Sequence, residues 1–192
     1  MAPILSPPHP IDEHAHWALS LWYPSDHSPS FDPEIFDHAV MGMGLAGEAL
    51  ETLEAAMADG PLDSKLMLHE LGDTLYYWCV SCSRAGLVPS DAWPVGFDFD
   101  SVPLAPFGHS AVQLAAVHLA IASGRCAEAF KKMVRDGAPP ARLAAALPAM
   151  AERLARLAQA CGFSVRQVAL ANRAKLAGRA ARGTLRGDGN DR

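Results

Sequence analysis

Two pairs of carboxylates with the same spacing are the residues of this sequence best suited to chemistry. Glu48 and Glu51 form the first pair, and Glu70 and Asp73 form the second. Side chains three residues apart lie on one face of a helix, one turn from each other. The flanking segments are mostly apolar, so the carboxylates would meet at faces that ought to be buried. Hard cations that prefer oxygen ligands are the usual compensation for such repulsion. The spacing therefore predicts a magnesium site.

A solvated acidic stripe is the alternative explanation for one such pair alone. Two pairs favour the metal site, because Gly60-Pro61 separates them and predicts two consecutive helices that can pack as an antiparallel hairpin. Gly47 and Gly72 lie beside the acids, and a helix-interior glycine costs roughly 1 kcal/mol, which makes most sense where another group must approach closely. A carboxylate-bridged di-iron site requires E-x-x-H pairs, and neither acid pair has a histidine three residues on.

The order of these motifs resembles a known family. The run GLAGEALE, followed by ELGD and aromatic residues, resembles the E-x-x-E…E-x-x-D signature of the all-α nucleoside triphosphate pyrophosphohydrolases, in particular their MazG-like branch. Near the C-terminus, ANRAKLAGR resembles the N-x-x-K-L-x-x-R segment of phage-type MazG-like proteins. The joint order of the two segments is more specific than either segment alone.

The resemblance implies an activity, a metal and a ligand set. Members of that superfamily hold Mg²⁺ on these acids and split a nucleoside triphosphate into monophosphate and pyrophosphate, and we expect Mn²⁺ to substitute for Mg²⁺. Carried over by position, the metal ligands are Glu48, Glu51, Glu70 and Asp73. Glu51 is expected to orient or deprotonate the attacking water. The resemblance also implies a homodimer. The alternative is a non-catalytic nucleotide-sensing or assembly module of the same fold.

Contacts with the substrate are expected from two further segments. Tyr77 follows the second acid pair by one turn, where related enzymes place a tyrosine beside the nucleotide, and packing alone explains it equally well. The last predicted helix carries Asn172, Lys175 and Arg179 at spacings of three and four, so they share one face. Lysine and arginine bind phosphate, and asparagine can bind a base or sugar edge. Base selection is expected to depend on the surroundings of Trp22, Tyr23 and His38.

The elements that must position these residues are all predicted to be helices. A hairpin over about 33–86 carries the acids, a proline-rich connector covers 87–108, a second hairpin spans about 109–162, and a last helix spans about 164–182. We predict an all-α fold in which two related hairpins form a four-helix bundle. A short helix near 11–22 and the last helix pack outside the bundle, and residues 1–192 form a single domain.

The second predicted hairpin is a degenerate copy of the first. An interval of thirteen residues separates Gly47 from Gly60, and the same interval separates Gly124 from Gly137. In this alignment Arg125 stands opposite Glu48, Glu128 opposite Glu51, and Lys131 opposite Glu54. Basic residues opposite acidic residues suit a site in which one hairpin holds metal and the other faces phosphate. Lys131 is therefore predicted to bind substrate. Alternatively, the second hairpin only completes the bundle and Lys131 is solvated.

Composition narrows the class of protein further. The chain has 192 residues, of which 50% are hydrophobic and 19% are charged, which is enough to bury a sizeable core. A net charge of −5 argues against a nucleic-acid partner, and no apolar run approaches the roughly 18 residues needed to span a membrane. The N-terminus does not resemble a signal peptide. Four cysteines in apolar patterns are predicted to be buried reduced thiols, so we expect a cytoplasmic protein.

Overall fold

A computed structural model describes residues 8–22, 32–102 and 108–184. These residues form seven α-helices and no strand, so the predicted all-α class is confirmed. The helices are α1 (Pro10–Leu21), α2 (Pro33–Met57), α3 (Ser64–Arg84), α4 (Pro89–Ala92), α5 (His109–Asp136), α6 (Ala141–Ala160) and α7 (Val165–Arg182). None of the described helices is long and apolar enough to cross a membrane.

Side-chain caps fix where the helices that carry the acids and the last helix begin. Asp32 accepts hydrogen bonds from the backbone N–H groups of the first turn of α2, at 2.9 and 3.3 Å. Asp63 caps α3 in the same way, at 3.0 Å to two N–H groups. At the start of α7, Ser164 and Gln167 form the reciprocal capping box that the sequence predicts. The caps therefore set the register of the predicted site residues on each helix.

Four helices enclose the main core. Helix α2 packs against α3 and α5, and α6 packs against both α5 and α3, an arrangement consistent with the predicted four-helix bundle. Hydrogen bonds also cross this core: for example, the indole N–H of Trp78 donates to the Leu147 carbonyl at 3.0 Å, and Ser123 Oγ donates to the Leu45 carbonyl at 2.8 Å. Helices α1 and α7 both pack on α3, so α3 lies between the core and α7.

The two hairpins end in the same local structure. Gly86 after α3 and Gly162 after α6 both adopt the left-handed conformation, with φ of 69° and 84°. In each hairpin the residue after that glycine donates its N–H to the carbonyl five residues earlier, at 2.9 Å, which is the long bond of a Schellman motif. Aligning these glycines pairs α6 with α3, although α7 also ends at a left-handed glycine, Gly183, with the same bond from Thr184 to Arg179 at 2.9 Å.

The connector is more ordered than the sequence suggests. The pattern predicts no helix within 87–108, whereas residues 89–92 form the single turn of α4. Asp100, which is expected to be simply solvated, is exposed but forms an ion pair with Arg166, whose backbone N–H also donates to the Phe99 carbonyl at 3.0 Å. These contacts attach the connector to the first turn of α7. The predictions for Tyr23 and for the segments before residue 8 and after Thr184 lie outside the described residues.

All four cysteines are buried and free, as predicted. They are Cys79, Cys82, Cys126 and Cys161. Burial raises the pKa of each thiol above its ordinary value. They therefore behave as apolar core residues and not as reactive thiols.

Candidate functional site

A pair of threonines fixes the relative position of the two helices that carry the acids. Thr52 on α2 and Thr74 on α3 are fully buried, and their hydroxyl oxygens are 3.1 Å apart. Thr52 also donates to the backbone carbonyl of Glu48 at 2.8 Å. Each threonine lies one residue after an acid of the predicted set, so this contact holds the acid-bearing turns of the two helices side by side.

Three of the four predicted metal ligands converge in the folded chain. One carboxylate oxygen from each of Glu48, Glu51 and Glu70 lies within 4.8 Å of the other two. Glu70 is 3% exposed, Glu48 is half-buried, and Glu51 is exposed at the open side of the group. An oxygen-only donor set of this size fits a hard divalent cation. We call these three residues the acid cluster.

Burial and neighbouring negative charges both disfavour the ionised form of Glu48. The pKa of Glu48 is raised to about 8, first because of burial and then because of the negative charges of Asp73, Glu51 and Glu70. Lys175 acts in the opposite direction and is the smallest of these contributions. Near neutral pH the folded protein therefore tends to keep a proton on Glu48, and a bound cation would favour the ionised form instead.

Asp73 differs from the other three predicted ligands. It lies outside the group of mutually close oxygens and instead forms an ion pair with Lys175 of α7. Its second oxygen accepts a hydrogen bond from the side-chain amide of Asn172 at 2.9 Å. The Lys175 side chain is only 5% exposed, so this ion pair is well shielded from solvent. The sequence predicts one set of four acids, and the structure divides it into three clustered glutamates and one aspartate bound to α7.

A close approach between α3 and α7 makes these contacts possible. A Cβ placed on Gly72 would lie 2.9 Å from Cβ of Asn172, so only glycine fits there without a shift. Asn172 is fully buried, and its Oδ1 has no hydrogen-bond partner among the described residues. A buried acceptor without a donor is costly, and such groups mark places where a ligand or an ordered water binds. The expectation that Gly72 lies where another group approaches closely fits this contact.

Two cations of α7 act on residues at or beside the acid cluster. Arg179 is 5% exposed and lies one turn beyond Lys175 on the same helix. The pKa of His69 is lowered by burial and by the charges of Lys175, Lys65 and Arg179, with Asp73 opposing. Lys175 and Arg179 thus both act on a residue adjacent to Glu70. Asn172, Lys175 and Arg179, predicted to share one face, all lie on the side of α7 that meets α3.

Tyr77 packs beside the acid cluster. A Cβ on Gly44 would overlap the Tyr77 ring, so this glycine is needed for the ring to lie against α2. Trp22 meets the same ring edge-on, with 6.0 Å between centroids. Burial raises the pKa of Tyr77 to about 12, and the charges of Glu48, Asp73 and Glu51 add to the effect. The ring is therefore close enough to feel the acids, and the predicted contact with the nucleotide stays a prediction.

Lys131 has a different environment from the other predicted substrate residues. It is exposed, forms an ion pair with Glu128, and lines an apolar groove between α2 and α5 together with Gly42 and Phe130. On α2, the groove-lining residues Ala39, Gly42, Met43 and Ala46 lie more than about 100° around the helix axis from Glu48. None of its described contacts joins Lys131 to the acid cluster, so the structure does not bring it together with the other site residues.

Sequence reasoning missed two features of this site. The Thr52–Thr74 contact was not anticipated, although a threonine directly follows one acid of each pair, a signal that is visible in the sequence. The bond from Asn172 and Lys175 to Asp73 was also missed, because the cationic face of α7 was assigned only to substrate. Nothing in a single sequence tells which acid a distant lysine meets.

Comparisons with known proteins leave the family open. No protein-family model matches the chain, and neither the curated proteins nor the solved structures contain a match. The resemblance to the MazG-like pyrophosphohydrolases therefore rests on the quoted motifs.

Proposed function

We propose that this protein is a Mg²⁺-dependent nucleoside triphosphate pyrophosphohydrolase of the MazG-like type, acting on a deoxynucleoside triphosphate to give the monophosphate and pyrophosphate. The observation that carries the proposal is the convergence of Glu48, Glu51 and Glu70 within 4.8 Å, beside an aspartate that is bound to the cationic face of α7. Acids on one side and Lys175 and Arg179 on the other suit a substrate that carries both metal and phosphate.

The three glutamates are the residues that would hold the metal. A divalent cation bound there supplies charge neutralisation for phosphate oxygens and lowers the pKa of a bound water. Asp73 completes the ligand set if Lys175 leaves it for a phosphate of the substrate. Mn²⁺ has the same preference for oxygen ligands and is expected to substitute for Mg²⁺.

The roles of the remaining residues follow from their exposure. Glu51 is the exposed member of the acid cluster, so a water between cluster and substrate can donate its proton to that carboxylate. Lys175 and Arg179 would bind the phosphates, and Asn172 Oδ1 would accept a hydrogen bond from the substrate. Tyr77 would lie against the nucleoside. The proposal assigns no phosphate contact to Lys131, because its described partners lie elsewhere.

A non-catalytic nucleotide-sensing module is the second candidate. The ion pair between Lys175 and Asp73 favours it, because a built-in cation satisfies one of the four acids without any metal. The two candidates make the same binding contacts and differ in whether pyrophosphate is released.

The test is pyrophosphate release from each dNTP, with and without Mg²⁺. We expect turnover that requires metal in the wild type, and a loss of more than tenfold in kcat, or roughly 1.4 kcal/mol, for Glu51→Gln. Glu54→Gln is the matched control, because Glu54 lies one turn further along α2 and outside the acid cluster. Metal-dependent nucleotide binding without pyrophosphate release would replace the hydrolase with the sensing module.

A further inference from the structure

The second hairpin contains a counterpart of the acid cluster with different chemistry. The matched glycine intervals align α5 with α2, and the matched helix ends align α6 with α3. In these alignments the positions of Glu48, Glu51, Glu70 and Asp73 are occupied by Arg125, Glu128, Ala146 and Ala149. The position of Tyr77 is occupied by Arg153. The counterpart has therefore lost three of four carboxylates and gained two arginines.

The counterpart positions line a real cleft between α5 and α6. Two adjoining cavities of about 390 and 240 Å³ share Ile121 and Arg125 as lining residues. The larger cavity also contains Glu128 and Ala146, and the smaller contains Ala149 and Arg153. All five counterpart positions thus face the same cleft, which we call the arginine cleft. The alanines leave space where the first hairpin has carboxylates.

The arginine cleft is strongly cationic in a chain with net charge −5. Its lining includes four cations, Arg125, Lys132, Arg142 and Arg153, and one carboxylate, Glu128. Their formal sum is +3. Glu128 interacts with Lys131 outside the cleft and with Lys132, 3.7 Å away, so it offsets little of the arginine charge. Among the described residues, Arg125, Arg142 and Arg153 have no ion-pair or hydrogen-bond partner.

The acid cluster and the arginine cleft also differ in which helices pack beside them. Helix α7 packs on α3 and brings cations to the acids, whereas the described lining of the arginine cleft comes from α5 and α6 alone. Arg125 lies between the other cations, with Lys132 and Arg142 towards one end and Arg153 towards the other. Like charges held together in an open cleft repel one another, and an anionic ligand relieves that repulsion.

We propose that the arginine cleft is a binding site for a small phosphate-bearing anion. Guanidinium groups present forked donors that match phosphate oxygens in pairs, and three of the four cations here are arginines. The larger cavity falls in the size range of small-molecule sites. The proposal does not depend on hydrolysis at the acid cluster, because none of the three acid-cluster residues lines the arginine cleft.

The test is calorimetric titration of the full-length protein with inorganic pyrophosphate in the presence of EDTA. Without metal the acid cluster repels polyphosphate, so binding there is suppressed. We expect a dissociation constant below about 1 mM at low salt, weakened about tenfold or more by Arg125→Ala combined with Arg153→Ala. Added salt should weaken wild-type binding, as for any exposed ionic contact. A non-hydrolysable dNTP in a parallel titration distinguishes a nucleotide from free pyrophosphate as the preferred ligand.

Arg156→Ala is the matched control, because Arg156 lies on α6, forms an ion pair with Glu152 and lines neither cavity. It should bind pyrophosphate like the wild type. No heat of binding from the wild type at low salt would overturn the proposal. So would binding that survives the double arginine substitution but is lost in Lys175→Ala, which would assign it to the acid cluster. An acidic peptide that binds the arginine cleft more tightly than pyrophosphate would overturn the choice of ligand.

Discussion

At the scale of single residues, one lysine offsets a small part of the negative charge around the acid cluster. Lys175 is almost completely buried and, within the described part of the chain, is the cation that lowers the pKa of Glu48. Its partner Asp73 is itself 14% exposed, so the two charges interact through little solvent. A metal that uses all four acids must displace this ammonium group from Asp73. Lys175 therefore competes with the metal it is expected to work beside.

Lys175→Met should separate the competition of Lys175 with metal from its expected contact with substrate. Removing the ammonium group makes Asp73 available to bind metal, so affinity for Mn²⁺ should rise several-fold, while the metal-free protein loses stability because a partly buried carboxylate loses its ion-pair partner. Turnover should fall, because the proposed contact of Lys175 with phosphate is lost. Mn²⁺ titration followed by electron paramagnetic resonance measures the affinity. Lys65→Met, at the exposed start of α3, is the control and should leave it unchanged.

The raised pKa of Glu48 predicts how stability depends on pH. In the metal-free folded protein this pKa is about 8, against 4.5 ordinarily, so between these values the folded state binds more protons than the unfolded state. The stabilisation that Glu48 gives the folded state by holding this proton is fully present below pH 4.5 and is lost as the pH rises towards 8. His14, His38 and His69, whose pKa values are lowered chiefly by desolvation, act in the opposite direction.

The comparison that isolates Glu48 is therefore wild type against Glu48→Gln, unfolded by urea in EDTA at about pH 5 and about pH 8. The wild type should lose more stability than the variant between the two values. If the free energy of unfolding changes equally between the two pH values in both proteins, the surroundings of Glu48 do not raise its pKa.

At the scale of the helix, Gly44 and Gly47 of α2 have different surroundings, and the sequence alone does not distinguish them. The space beside Gly44 is filled by the Tyr77 ring, which a Cβ there would overlap, whereas a Cβ on Gly47 would meet no atom within 4 Å. Gly44→Ala should therefore destabilise the protein by about 1–3 kcal/mol through overpacking. Gly47→Ala should stabilise it by up to about 1 kcal/mol through helix propensity. Urea unfolding of the two variants measures both changes.

Gly47→Ala also tests whether substrate approaches α2. Gly47 precedes Glu48, and a Cβ there would meet no described atom within 4 Å, so the proposed nucleotide has room to approach α2 at this position. If it binds there, the stabilised variant should show a KM for dNTP raised about tenfold with its fold intact. A variant that is more stable and has wild-type KM would show that Gly47 has no role in binding.

At the scale of the whole molecule, metal binding should stabilise the fold. A cation that binds the folded acid cluster and not the unfolded chain shifts the unfolding equilibrium by mass action. Millimolar Mg²⁺ or Mn²⁺ should therefore raise the Tm of the wild type, and Glu51→Gln should reduce that increase. Ca²⁺ should also stabilise but not support turnover, because it tolerates looser coordination. An unchanged melting curve with all three ions would contradict the metal site. Light scattering would test the predicted homodimer.

The parts of the structure that local patterns specify were predictable from the sequence. The caps at Asp32, Asp63 and Ser164 set helix starts, and the spacing of the glutamates predicted their convergence. Long-range partners were not predictable. The contact between Asp73 and Lys175 depends on how α7 rotates against α3, and that rotation follows from packing at Gly72. Lys131 was predicted to bind substrate from the alignment of the two hairpins alone, without regard to which face of α5 it occupies.

The ion pair between Asp73 and Lys175 joins residues 102 positions apart, and this has a consequence for protein synthesis. A ribosome releases the whole acid-bearing hairpin long before α7 exists. The nascent hairpin then carries Asp73 without the lysine that pairs with it in the folded chain. Until α7 is synthesised, protons or dissolved cations have to offset the negative charge of the four acids.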